Sequence, residues 1–137
     1  MRAVDTNVLA RYYLRDDVAQ ARLAEKVLAA GDVFIAKTVV LELEWVLRAV
    51  AEQPANKVLA CLEHLVALPG VTVEDEEQVQ AALQVSRQGM DFADALHHAA
   101  AAHCRQMLTF DDRRFARRAA RLGLRPHVTL LSSTAFR

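Results

Sequence analysis

Short apolar runs rich in β-branched residues recur between helical segments along this chain, and that alternation admits only a narrow set of folds. The first run, residues 1–4, is broken by Asp5, Thr6 and Asn7, whose side chains compete for backbone hydrogen bonds and favour caps and turns. Residues 17–30 carry Val18, Ala21, Leu23, Ala24, Val27 and Leu28 at helical spacing, open on Asp16 and Asp17 as caps, and close on Gly31. Residues 33–36 read as a strand, after which Thr38 offers an N-cap to an apolar helix through about residue 52. Pro54 opens a further helix that Pro69 and Gly70 stop; residues 71–73 form a short edge strand, and residues 75–88 are helical as far as Gly89. Helices over 91–104 and 112–122 flank a strand over 106–110, and residues 128–131 make the last strand. Strands separated by helices predict an α/β fold, a three-layer α/β/α sandwich with a short, mainly parallel sheet.

A chain of 137 residues that is 53% hydrophobic suffices for one domain over 1–137 with a sizeable core. Seventeen basic and seventeen acidic residues cancel, so no general polyanion-binding field is expected and the placement of charge matters instead. That placement is uneven: Arg113, Arg114, Arg117, Arg118, Arg121 and Arg125 follow Asp112, and no acid follows it. Cys61 and Cys104 lack any paired metal-binding spacing, which predicts thiols packed as small apolar groups in a reducing cytoplasm. There is no signal-like h-region after Met1 and no apolar run of membrane length, so the expectation is a soluble cytoplasmic protein with no membrane partner.

In parallel sheets ligands bind beyond the carboxyl ends of the strands, and Asp5 and Asp111 both stand just after predicted strands. Asp5 is equally placed to cap the next helix or to face a ligand. Glu42 lies on an apolar helix flank with no basic residue three or four positions away, whereas Glu44 has Arg48 at i+4, an ordinary solvated pair. Asp91 and Asp94 share a face at the start of one helix; Asp91 reads as the cap and Asp94, one turn in, projects beyond it. Of Asp111 and Asp112, one caps the Arg-rich helix and the other faces the site; Asp111 is nearer the strand end. Carboxylates gathered closely repel and lose hydration, so convergence of Asp5, Glu42, Asp94 and Asp111 requires a cation, and oxygen-only ligation suits Mg²⁺ or Mn²⁺. Thr6, Asn7 and Thr109 flank the strand ends, where they hold water, orient carboxylates or simply make turns. Histidines show no tight pairing with these acids and are left outside the site. Arg113, Arg114 and Arg117 suit bidentate phosphate contact or a protein partner.

Four segments, Val4-Asp5-Thr6-Asn7-Val8-Leu9, the helix around Glu42, Asp91-Phe92-Ala93-Asp94-Ala95-Leu96-His97 and Leu108-Thr109-Phe110-Asp111, together resemble a PIN-domain ribonuclease, specifically a VapC-type toxin of a type II toxin–antitoxin pair. The resemblance spans essentially the whole chain and implies a Mg²⁺- or Mn²⁺-dependent endoribonuclease that leaves 5′-phosphate and 3′-hydroxyl ends. It matches Asp5, Glu42, Asp94 and Asp111 to the acidic quartet and Thr6, Asn7 and Thr109 to its polar support, with Asp91 and Asp112 in supporting positions. It also implies RNA as substrate, a small inhibitory antitoxin protein and a homodimer. Asp111-Asp112-Arg113-Arg114-Phe115 departs from the family's single acid before a short spacer and Phe, which leaves the fourth acid open by one residue. A reading from a different class is a non-catalytic interaction module that uses the Arg-rich C-terminal helix.

Overall fold

The computed structural model describes residues 1–133, and its contacts divide the chain into two compact units that meet after Gln80. In the first unit, β1 (Arg2–Ala3), β2 (Val33–Ile35) and β3 (Val71–Val73) form a wholly parallel sheet in the order β1-β2-β3, which puts β3 at an edge as expected. Parallel neighbours need crossovers. These are supplied by α1 (Thr6–Leu14) and α2 (Val18–Ala30), and then by α3 (Lys37–Trp45) and α4 (Ala55–Ala67). Val33, Ile35, Val40, Leu43, Leu62 and Leu65 are fully buried around this sheet.

Local signals place most of these boundaries. Asp17 caps α2 by accepting the Gln20 amide at 3.0 Å, and Gly31 ends that helix at φ +74°. The start of α3 differs from the expectation. Ala36, not Thr38, is the N-cap residue and contributes no side-chain bond; the amide of Lys37 instead donates to Glu74 Oε1 at 2.9 Å. A carboxylate beyond β3 thus does the work of a local cap. Nor does α3 continue regularly to residue 52: Val46–Val50 is a π-helical turn, closed by the Ala51 amide on the Val46 carbonyl at 2.9 Å.

Glu44 corrects a second expectation. It is only 4% exposed, and both carboxylate oxygens accept from Arg48 Nε, at 2.8 and 3.2 Å. Val40, Leu43, Glu44 and Leu47 follow the i, i+3, i+4, i+7 pattern of a core-facing stripe, so Glu44 is drawn inward with its neighbours. Its pair with Arg48 is the charge-assisted contact that makes this burial tolerable, not a solvated one.

The second unit takes over within α5 (Glu76–Arg87) and contains α6 (Phe92–Ala100), β4 (Gln106–Thr109), a π-helical turn (Asp112–Ala116), α7 (Arg117–Arg121) and β5 (His127–Leu130). β4 and β5 pair in parallel, Gln106 beside His127 through Thr109 beside Leu130, as a sheet of their own. The single sheet expected is therefore two short parallel ones among the described residues. The helix expected over 91–104 stops at Ala100, and the one over 112–122 opens with a π-helical turn. Phe92, Leu96, Phe115, Ala119 and Val128 form the buried apolar set, with His98 among them at 6% exposure. His98 Nε2 lies 2.8 Å from the Pro126 carbonyl, so α6 holds the chain just before β5. The short parallel sheets and predominant helix are those of a PIN-like α/β fold.

Candidate acidic site

In the first unit the site residues gather at the carboxyl end of β1. Asp5 follows that strand and caps α1, with Oδ1 accepting the Val8 amide at 3.3 Å. Capping takes one lone pair of an ionised carboxylate, which has about four, so the cap and ligand roles weighed for Asp5 are compatible. Thr6 is 5% exposed, and its hydroxyl donates to Glu42 Oε1. That bond ties the first turn of α1 to the middle of α3 and orients Glu42, which is otherwise exposed. Asn7 instead lines an apolar cleft between α1 and α2, beside Val8, Leu23 and Val27.

In the second unit Asp91 caps α6, its Oδ2 accepting the Asp94 amide at 3.2 Å. Asp94 sits in the first turn of that helix. Burial, and then the negative charges of Asp91 and Asp111, push its carboxyl above the ordinary carboxylate range, while His97 and Arg118 pull the other way. Asp111 caps the π-helical turn through Oδ1 and the Arg114 amide at 2.9 Å, and its own amide donates to Thr109 Oγ1 at 3.0 Å. Asp112 pairs with Arg117 Nη2 at 2.8 Å. Of the two adjacent acids, Asp111 is thus the one whose charge bears on Asp94, and Asp112 occupies an arginine expected to be open for phosphate. Arg113 and Arg114 are exposed. Arg118, not singled out from the sequence, reaches the Gly89 carbonyl at 3.0 Å and lies within electrostatic range of Asp94.

Among the described residues no group of three or more His, Cys, Asp or Glu side chains converges closely enough to hold a metal ion, so a preformed four-carboxylate cluster is not seen. Three of the four acids are instead engaged locally, Asp5 and Asp111 in capping helical turns and Glu42 in accepting from Thr6, while Asp91 caps the turn that carries Asp94. Within each unit the candidate donors are nonetheless all oxygen and anionic, and in the second unit Asp94 is crowded by two like charges, the kind of chemistry a hard divalent cation takes.

The upward shift at Asp94 has a defined sign. The folded chain holds this proton more tightly than the unfolded chain, so ionised Asp94 lowers native stability above its folded pKa and ceases to do so as pH falls through it. In EDTA, Asp94→Asn is therefore expected to melt above the parent at neutral pH, with the gap closing as pH falls into the carboxylate range. A gap that stays constant with pH in differential scanning calorimetry would refute this.

A model of the PIN domain family matches residues 2–121, and the chain belongs to that family. PIN domains are generally nucleases that act on RNA and typically use divalent metals. No curated protein matches the chain. No helix among the described residues is long and apolar enough to cross a membrane.

Proposed function

We propose that this PIN domain is a Mg²⁺- or Mn²⁺-dependent endoribonuclease and the toxin of a type II toxin–antitoxin pair. The observation that supports this most is the placement of Asp94, half-buried in the first turn of α6 with the charges of Asp91 and Asp111 on it. Acids crowded in this way at a helix start are better suited to a cation than to solvent.

In this reading Asp5, Glu42, Asp94 and Asp111 would hold the cation, whose chemistry there would be Lewis-acid polarisation of the scissile phosphate and activation of a water near neutral pH. The protein's own part is orientation. Thr6 fixes Glu42, Asp91 orders the turn that carries Asp94, and Thr109 braces the backbone of Asp111. Arg118 offers a guanidinium to the phosphate beside Asp94, while Arg113 and Arg114 serve the flanking backbone or an acidic stretch of the antitoxin. Single-stranded or looped RNA is the substrate, because a duplex resists bringing its backbone into a cleft. The active form is a homodimer in the cytoplasm.

The test is incubation of end-labelled single-stranded RNA with the purified chain in Mg²⁺ and in EDTA. Cleavage only with Mg²⁺, giving 5′-phosphate ends, is the expected result. Intact RNA in both, with binding of a protein partner retained when the acids are replaced, would favour the non-catalytic interaction module instead.

A further inference from the structure

A second chemical feature lies in the first unit, at the other end of α1 from Asp5. There α1 and α4 flank a shallow, open cleft of roughly 340 Å³ whose walls include Tyr12, Tyr13, Arg15, Lys57, Cys61 and His64. None of the lining residues is acidic. The volume is within the range of about 300–1,000 Å³ usual for ligand pockets.

The aromatic side chains brace one another. The Tyr12 and His64 rings are nearly parallel, 18° apart with centroids 6.4 Å from each other. Tyr13 stands edge-on to both, at 4.9 Å and 89° from Tyr12 and at 5.7 Å and 85° from His64. Its hydroxyl lies 2.9 Å from His64 Nδ1. Burial, with Tyr12 and Cys61 behind it, drives the Tyr13 hydroxyl far above its ordinary pKa, so it keeps its proton. Tyr13 is thus the strut, and the Tyr12 and His64 rings are the platform it holds in place.

The cations stand beside this platform. Arg15 lies 5.5 Å from the Tyr12 ring centroid, and its ion pair with Glu25 at 3.3 Å is between half-exposed side chains and so contributes little. Lys57 is exposed on α4, and its charge reaches the Cys61 thiol, which burial otherwise pushes up. Aromatic faces beside cations form the combination that single-stranded nucleic acid recognises, the bases stacking and the backbone meeting positive charge.

We propose that this cleft is a binding subsite for single-stranded RNA, in which one base stacks against the Tyr12–His64 surface and the adjoining phosphate lies between Arg15 and Lys57. The proposal rests on the ribonuclease reading for its choice of ligand, but its site shares no residue with the acidic one. It extends the substrate contact well beyond the scissile bond, so that affinity depends on the length of single strand bound.

Fluorescence anisotropy of a fluorescein-labelled oligouridylate in EDTA, where no turnover occurs, tests this directly. Alanine replacement under a stacked base removes about 1–3 kcal/mol, so Tyr12→Ala should raise Kd by about five- to 150-fold, and Tyr12→Trp should restore it. His64→Ala, at an exposed position, should weaken binding in the same direction, and Lys57→Ala should lower the salt dependence by about one counterion. Oligouridylate bound equally well by the parent, Tyr12→Ala and His64→Ala overturns the proposal, as does a parent that binds none. A shift in sedimentation on Tyr12→Ala with RNA affinity unchanged also overturns it, and assigns the cleft to contact between copies of the chain. Failure of Mg²⁺-dependent cleavage alone removes the nuclease reading and leaves the anisotropy result standing.

Discussion

Asp94→Asn is expected to reduce Mg²⁺-dependent cleavage of single-stranded RNA by about a thousandfold or more, with circular dichroism preserved and the melting transition in EDTA no lower than the parent's. The magnitude follows from what a catalytic cation contributes: several kcal/mol of transition-state stabilisation, at about 1.36 kcal/mol for each factor of ten. The substitution is chosen for what it leaves in place. Asn and Asp are nearly equal as N-caps, and Asp94 receives the cap rather than providing it, so the first turn of α6 keeps its bond from Asp91. Removing the charge in fact relieves the crowding from Asp91 and Asp111, so loss of activity cannot be put down to loss of fold. Asp112→Asn is the matched control. Its carboxylate is spent on Arg117, and kcat/KM should stay within a few-fold of the parent. Asp111→Asn should resemble Asp94→Asn, because Asn still caps the π-helical turn while the negative charge facing Asp94 is gone. A full-rate Asp94→Asn variant would remove Asp94 from the chemistry, and equal losses at Asp111 and Asp112 would undo the distinction between them.

Where a single residue's local chemistry decides an element, the amino-acid order alone reveals it. Asp17 capping α2, Gly31 ending it, the strands at β2 and β3, and Asp91 as the cap ahead of Asp94 are all of this kind. The start of α3 is not, because the group that satisfies its first amide is Glu74, thirty-seven positions away. The π-helical turns are equally hidden: one extra residue per turn barely disturbs an apolar periodicity, yet it re-aims every side chain that follows. Glu44 carries two conflicting signals, since the spacing of Val40, Leu43 and Leu47 places it in the buried stripe while its i+4 arginine suggests a surface pair; burial wins. For the proposed site, residue types and order name the candidate acids. What they do not distinguish is Asp111 from Asp112, since both can cap a helix and the outcome turns on which one Arg117 reaches. Thr6 is legible as polar support, but its partner, Glu42, lies on another helix and no spacing rule names it. Arg118 does not stand out among six similar arginines because only the fold sets it apart, through the Gly89 carbonyl.

Gly70→Ala is expected to destabilise the chain by about 3 kcal/mol, lowering Tm by roughly 10 °C, without touching any acid of the site. Gly70 is legible as a helix stop after Pro69, yet stopping a helix is the lesser of its roles. It sits at φ +79°, where an L side chain is strained by about 1–2 kcal/mol. The Cβ it lacks would also stand 2.8 Å from the Cα of Gly31, an obstacle of backbone that cannot rotate away. Two glycines thus pass each other at the entrances to β2 and β3. The Gly70 carbonyl accepts the Val33 amide at 2.9 Å there, a bond that sets the parallel register in which Val33 lies beside Val71. Pushing the two segments apart strains that register and, through β2, the start of α3 that carries Glu42. Gly123→Ala separates the two components of the penalty, since Gly123 also has positive φ, at +67°, but a Cβ there meets nothing within 4 Å. Its loss should therefore reflect backbone strain alone and be clearly smaller than that of Gly70→Ala. Chemical denaturation of the three proteins gives the comparison: equal midpoints for the two variants would mean that the close approach of Gly31 and Gly70 contributes nothing beyond dihedral strain.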